Sequence, residues 1–496
     1  MSWLHDKTTT MLERIEEAKR LKAFPFFRPF ENVGSRVKVG TGSYINFTSN
    51  DYLGLSQHPK LISAACMGTM KYGTGLGSAR PQATSVRHEA LEQRLASWLD
   101  TESCAVFTTG YQALVGTLAS FLDDESTVII DKLSHASIID GVLLAQGMSP
   151  NLEIRNFAHN DPASLERVLT STDNKKKLVV VEGLYSVDGD LAPMADFVTV
   201  CKKHGAALMV DDAHGLGTLG PTGRGVGELY SVLGEIDLLV GTFSKSFGTV
   251  GGFVCADRAL IDYMKLTARS FVFSASLPLA QVEAALAALD IIEHDPSLRQ
   301  RLERNKDFFR AGLGDLGIDL GDSTTHITPI MIRDERKALE AAAYLFHGAG
   351  VIMIPFVYPG VPKGTERLRC NVTAAHTEAQ MGYTLEALAR IGPMVGFLPK
   401  DARARGTKLQ KAAWLAEQKI GAARNGGLAY LRHELGDARH KLGTWAKDRL
   451  RGTNGGLGQH APTNGTPAAN GTPAGNGTPA GNGTPGAKGA STKPPL

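Results

Sequence analysis

The chain has 496 residues, 53 Lys and Arg against 50 Asp and Glu for a formal charge of +3, and 43% hydrophobic residues. At roughly 100–200 residues per domain this is enough for a large core with a second domain, and the composition is that of a globular protein. No run of about 18 apolar residues offers a membrane span, and the opening Met1-Ser2-Trp3-Leu4-His5-Asp6-Lys7 lacks the apolar core of a signal peptide.

In chain order, residues 10–22 predict a short amphipathic helix with Leu12, Ile15 and Leu21 on one face. Phe24-Pro25-Phe26-Phe27-Arg28-Pro29-Phe30 breaks it, so 1–60 read as an N-terminal helix and arm. From about residue 60 a regular alternation begins. Near-continuous apolar runs at 104–107, 127–130, 178–181, 207–210, 238–241 and 252–255 predict buried strands, and 111–121, 194–204 and 279–294 predict helices. This alternation calls for an α/β fold, a mainly parallel sheet covered on both faces, over 61–297. A smaller α+β domain follows over 298–398, with helices at 302–313 and 336–348 and strands at 328–332, 351–354 and 367–372.

The chain changes character after Pro399. Residues 400–451 hold 13 Lys and Arg against 5 Asp and Glu, a charge of +8; with Lys488 and Lys493 this leaves the first 399 residues at −7. Leu428, Leu431, Leu435, Ala438, Leu442 and Trp445 recur at heptad-like spacing within 399–451, predicting a basic amphipathic helical extension. It either lies on an anionic membrane surface or is a solvated or self-associating helix; nucleic-acid binding has no motif to support it. From Asn464, Asn-Gly-Thr-Pro recurs every six residues. Such a segment cannot bury a core, so 452–496 are expected to be a disordered tail. Five scattered cysteines (Cys66, Cys104, Cys201, Cys255, Cys370) without a CxxC read as reduced packing residues of a cytoplasmic protein.

Lys245 carries the most chemical information. It stands in Gly241-Thr242-Phe243-Ser244-Lys245-Ser246-Phe247-Gly248, directly after an apolar strand. Alone it reads as a solvated loop lysine. Thirty-four residues upstream, however, Leu208-Met209-Val210-Asp211-Asp212-Ala213-His214 brings another strand to its end on an aspartate. An amine able to form a Schiff base, with a carboxylate able to hold a pyridinium proton, is what pyridoxal phosphate requires of a protein. Thr108-Thr109-Gly110-Tyr111-Gln112 joins a strand to a helix and offers backbone N–H groups for a phosphate, with the hydroxyls of Thr242 and Ser244 in addition. His135, in Leu133-Ser134-His135-Ala136-Ser137, either stacks on the ring or merely caps a helix. His214 and Ser186, the latter in Glu182-Gly183-Leu184-Tyr185-Ser186, are candidates for the ring's phenolic oxygen. Nothing calls for a metal.

Further pieces complete a pattern: Asn46-Phe47-Thr48-Ser49-Asn50-Asp51-Tyr52-Leu53-Gly54-Leu55, Ser186-Val187-Asp188-Gly189-Asp190, Ser274-Ala275-Ser276-Leu277-Pro278 and Arg367-Leu368-Arg369-Cys370. In these motifs and their order, over roughly residues 10–398, the chain resembles the α-oxoamine synthases. These fold-type I pyridoxal phosphate enzymes condense an amino acid with an acyl thioester and lose CO2. The resemblance implies a large cofactor domain with a smaller C-terminal one, and Lys245 as the Schiff-base lysine that also removes the α-proton. It implies Asp211 on the pyridine nitrogen, His135 stacked on the ring, and His214 at the phenolic oxygen and assisting acyl transfer. Glu182 and Ser186 support that region, and Gly110, Tyr111, Thr242 and Ser244 surround the phosphate. Ser274 and Ser276 are implied to reach the cofactor phosphate of a neighbouring subunit, hence a homodimer with shared sites. Asn50 and Arg369 are the implied ligands of the substrate carboxylate, which a guanidinium fork suits. The partners implied are an amino acid and an acyl-CoA or acyl carrier protein.

Within the family, the lysine motif looks most like bacterial serine palmitoyltransferases. Serine plus a long-chain acyl-CoA, giving 3-ketosphinganine for sphingolipid synthesis, is therefore the leading expectation, and a peripheral extension at the inner membrane face would suit it. The alternatives are 8-amino-7-oxononanoate synthase, which uses alanine with a pimeloyl thioester, and glycine C-acetyltransferase, which Phe356-Val357-Tyr358-Pro359-Gly360-Val361-Pro362-Lys363-Gly364 resembles. Two departures stand out. The arginine frequent near Val357 in bacterial serine palmitoyltransferases is absent. Residues 77–88 carry Ala83 where the family usually has Gly, with a shorter loop before His88, which alters a segment bordering the acyl-thioester mouth.

Overall fold

In the computed structural model, which describes residues 3–20 and 24–399, the six apolar runs pair with a seventh strand into one sheet. Its spatial order is Ser103–Phe107, Gly252–Ala256, Leu238–Thr242, Ala207–Asp211, Lys176–Glu182, Ser126–Asp131 and Glu153–Phe157. The last five run parallel to one another, and Gly252–Ala256 is antiparallel to both of its neighbours. The mainly parallel sheet expected from the sequence is therefore present. Glu153–Phe157 escaped the sequence pattern because it is an edge strand, with Glu153, Ile154 and Arg155 half-buried and Asn156 exposed. The predicted extension from residue 400 onward and the repeat tail lie outside the described residues.

Alternate side chains of a strand leave opposite faces of the sheet, and this sheet is buried on both. Val179 and Val181 join one apolar cluster with the helices Val86–Trp98, Met194–His204 and Leu279–His294. Leu178 and Val180 join another with Gly110–Phe121 and Ala136–Met148. That two-sided burial explains why the central strands read as unbroken apolar runs and not as alternating ones. Parallel strands also share a direction, so the residues ending Ser126–Asp131, Lys176–Glu182, Ala207–Asp211 and Leu238–Thr242 emerge on one edge of the sheet, where ligands bind in open α/β folds.

A second lobe is built on the antiparallel strands Ile327–Met331, Arg367–Asn371 and Ile354–Phe356. The helices Ser297–Asp315, Glu335–Tyr344 and Glu378–Val395 cover them around a separate apolar cluster. The N-terminal arm belongs to this lobe by pairing. Arg36–Val39 and Gly42–Asn46 form an antiparallel pair that Val351–Ile352 extends in parallel, and Ile45 and Phe47 enter the lobe's core. The predicted helix at 10–22 is observed as Trp3–Arg20.

Gly252 marks where strand and helix meet. A Cβ there would lie 2.5 Å from the backbone nitrogen of Gly110 and 2.6 Å from its Cα. Only a residue without a side chain lets Gly252–Ala256 pass the start of Gly110–Phe121. We expect Gly252→Ala to cost about 1–3 kcal/mol through overpacking, read as a lower urea midpoint at unchanged slope.

Candidate active site

Lys245 is held by its neighbours. Phe243 and Phe247, two residues to either side, are fully buried. Each packs with the other at 5.2 Å between ring centroids, and Phe253 stacks on Phe243 at the same distance. Burying aromatic rings of this size contributes roughly 1.5–3 kcal/mol each. The loop after Leu238–Thr242 is thereby pinned, and the half-buried lysine reaches a cavity of about 240 Å³. Asp211, Glu182 and His214 line the same cavity.

Asp211 and Glu182 end adjacent parallel strands and stand opposite each other in register. Burial, and then the charge of Asp211, pushes the Glu182 carboxyl well up. Glu182 Oε1 accepts the His135 backbone N–H at 2.7 Å. Burial also draws the Lys245 amine down from its ordinary value, although Asp211 and Glu182 pull it up. His135 N-caps Ala136–Met148: its Nδ1 accepts the Ser137 N–H at 3.2 Å and lies 2.6 Å from Ser137 Oγ. It also lines the cavity, so capping and facing the cavity are compatible.

Another part of the lining is the start of Gly110–Phe121. Thr109 caps it by accepting the Gln112 N–H at 3.1 Å, and Gly110 and Tyr111 line the cavity. Thr242 Oγ1 lies 2.8 Å from Ser244 Oγ and donates to the Gly251 carbonyl at 2.9 Å. First-turn N–H groups of a helix have no intrahelical acceptor, so this wall presents donors suited to a phosphate. Phosphate donors at a helix start, a carboxylate and an amine lining one cavity fit pyridoxal phosphate in size and donor set.

The remaining expected residues divide into three groups. Ser186 lies outside the cavity lining, with its backbone N–H on the Glu182 carboxyl. Asn50 and Arg369 meet each other, Arg369 Nη2 donating to Asn50 Oδ1 at 3.2 Å, while the buried Arg369 Nε has no partner. Ser274 and Ser276 stand away from this cavity: Ser274 Oγ accepts from Gln112 Nε2 at 3.1 Å, and the Ser276 N–H donates to the Ser78 carbonyl.

The geometry adds residues that the motifs did not mark. Tyr52 bonds His214, and Asn371 Nδ2 donates to Asn50 Oδ1 at 3.0 Å. Arg367 forms an ion pair with Asp188, binding the second lobe to the loop beyond Ser186. His159 lies between Asp131 Oδ1 and Asp190 Oδ2, 2.9 Å from each, with Tyr185 edge-on at 4.5 Å. Both arginine and tyrosine lay inside quoted motifs, but no spacing rule assigns their partners.

The family model for aminotransferase class I and II matches residues 43–388. The 8-amino-7-oxononanoate synthase of Citrifermentans bemidjiense is 38% identical over 389 residues, covering 77% of this chain and 98% of the relative. Its namesake from Thermoanaerobacter pseudethanolicus is 37% identical over 402 residues, covering 80% of this chain and 100% of the relative. Among solved structures, a serine palmitoyltransferase from S. paucimobilis with bound PLP and myriocin matches with a TM-score of 0.76 and 34% identity. That match covers 80% of this chain and 100% of the other.

The His159 cluster generates a pH prediction. Burial disfavours the imidazolium, but the hydrogen bonds and charges of Asp131 and Asp190 together outweigh it and raise the pKa from 6.5 to about 10. A raised folded-state value means the stabilisation is full below about pH 6.5 and is lost as pH rises through about 10. His159→Gln should lower stability at pH 6 by about 2–3 kcal/mol. Denaturant curves of the two proteins should converge by pH 10.5; a constant gap would reject the assignment.

Proposed function

The chain belongs to the α-oxoamine synthase family of fold-type I pyridoxal phosphate enzymes, and from that premise we propose that it condenses L-alanine with a pimeloyl thioester. The products are 8-amino-7-oxononanoate, CO2 and the free thiol. The observation that supports this substrate pair is the end-to-end similarity to 8-amino-7-oxononanoate synthases. It reverses the order expected from the lysine motif, which put serine and a long-chain thioester first. That second reading keeps the support of the structural likeness to serine palmitoyltransferase.

Pyridoxal phosphate, when bound, supplies the electron sink that stabilises charge at the amino acid's α-carbon. Lys245 would hold the cofactor aldehyde through its amine and, as a free amine, take the α-proton of the amino acid. Its lowered pKa favours the free base needed for that transfer. Asp211 would keep the ring nitrogen protonated, and His135, which lines the same cavity, would contact the ring. Gly110, Tyr111, Thr242 and Ser244 would hold the phosphate. Arg369, with its unpaired Nε, and Asn50 take the substrate carboxylate and orient the α-carbon toward the thioester. His214 faces the oxygens on which charge develops.

A second copy of the chain completes the arrangement. Ile139, Leu143, Leu144 and Met148, on the helix that follows His135, form an exposed apolar face for it to cover. Ser274 and Ser276, away from this chain's own cavity, then serve the copy's phosphate.

The test uses the purified full chain with pyridoxal phosphate. Bound cofactor should absorb as a lysine Schiff base, and Lys245→Ala should remove that band and lower turnover by roughly 10³-fold. Alanine should shift the spectrum, and alanine with pimeloyl thioester should release thiol with a higher kcat/KM than serine with palmitoyl thioester. The opposite ranking would install the second reading.

A further inference from the structure

Tyr52 is fully buried, in the segment that follows the strand Gly42–Asn46. Its phenolic oxygen lies 2.6 Å from His214 Nδ1 and 3.3 Å from Asn50 Oδ1. A phenol has one proton to donate, and an amide oxygen has two lone pairs. Asn50 Oδ1 already accepts from Asn371 Nδ2 at 3.0 Å and Arg369 Nη2 at 3.2 Å. The phenol proton therefore goes along the shorter contact, to His214 Nδ1. Burial keeps that proton on the phenol, pushing it up to about 12 despite Arg369 nearby.

Burial, with the charges of Lys245 and Arg369, also holds His214 well below its ordinary value, so the ring is neutral. A neutral imidazole carries a single N–H. With Nδ1 accepting from Tyr52, that N–H is on Nε2. His214 lines the cavity, and its Nε2 is the nitrogen left for groups bound there. His326 packs edge-on against the Tyr52 ring at 4.2 Å and is itself buried, so the phenol has little room to turn.

We propose that Tyr52 is a positioning residue that fixes His214 as its Nε2–H tautomer, so that His214 offers the reacting centre a hydrogen-bond donor and not a base. This rests on the reading of the cavity given above and deepens it. During condensation the thioester carbonyl oxygen gains negative charge, and a donor already in place stabilises that charge without reorganising. The other tautomer would present a lone pair to the same oxygen.

The experiment compares wild type with Tyr52→Phe as full-length, cofactor-loaded enzymes. Histidine is labelled with ¹⁵N in the ring, and His214 is assigned by the signals lost in His214→Asn. Wild type should show a protonated Nε2 and an unprotonated Nδ1; Tyr52→Phe should show a mixture of tautomers. Its kcat should fall roughly 10- to 100-fold, with the amino-acid KM changed by less than about threefold. A wild-type proton on Nδ1 overturns the proposal, as does a Tyr52→Phe enzyme with unaltered tautomer and kcat. A raised KM at constant kcat would assign Tyr52 to Asn50 and Arg369 and overturn it too. Should Tyr52→Phe fail to fold, the wild-type ring spectrum decides alone. The tautomer is read without substrate, so it stands or falls independently of which thioester is used.

Discussion

Parallel strands that end together crowd their last side chains into one small volume, and the chemistry of this chain depends on that crowding. Glu182 and Asp211 finish neighbouring strands in register, and neighbouring strands are about 4.8 Å apart. Two carboxylates so placed repel, and burial makes the repulsion stronger. Burial, and then the charge of Asp211, pushes the Glu182 carboxyl up, and it accepts the backbone N–H groups of His135 and Ser186. Glu182 thus organises the loops around the cavity while Asp211 is left to face it. Lys245 arrives from the next strand along, where the Phe243, Phe247 and Phe253 rings allow its backbone one position.

The loop at 186–190 is clamped from both lobes. Asp188 is paired with Arg367, Asp190 with His159, and the Gly189 carbonyl accepts from Thr325 Oγ1 at 2.8 Å. Gly189 has φ +72°, and a Cβ there would lie 2.1 Å from the Ile327 carbonyl oxygen, so glycine is required on both counts. Arg367 and Arg369 lie on one face of the same strand but have different roles. Arg367 is spent on Asp188. Arg369 bonds Asn50 through Nη2, also reaches the Tyr52 phenol, and leaves Nε unpaired. The second lobe thereby fixes the loop beyond Ser186 with the same strand that carries Arg369.

Much of the cavity was legible because its residues sit at the ends of apolar runs. Lys245, Asp211, Thr242 and Gly110 each follow or close a strand within a few residues, so a local pattern finds them. Tyr52 and Asn371 were not legible as site residues, since their partners are 162 and 321 residues away. The Asp211-Asp212 doublet shows a finer limit. Composition cannot say which acid faces the cavity. Asp212 instead accepts the Val226 N–H at 2.7 Å in a nest where Cβ atoms on Gly183, Gly215 or Gly225 would collide with its carboxylate. The edge strand Glu153–Phe157 was missed for a related reason: one polar edge removes the apolar signal on which the other strands depend.

The choice between acyl donors is not written in the cavity, because the residues there serve the condensation common to the family. Residues 77–88, with Ala83, are tied down by Arg80 on the buried Glu92, which Lys265 also reaches, and by His88 Nε2 at 2.9 Å from the Leu277 carbonyl. The two ends of this segment are therefore anchored, while residues 81–84 between them are exposed. In the second lobe, Val357 packs against the apolar core. An arginine could not occupy that environment without turning outward, and valine has no charge to turn. Tyr358, next in the chain, is exposed, and the Lys363 ammonium sits 5.2 Å from its ring. Neither residue lines the cavity, so the ranking of a pimeloyl over a long-chain thioester rests on the similarity to the 8-amino-7-oxononanoate synthases and not on this contact.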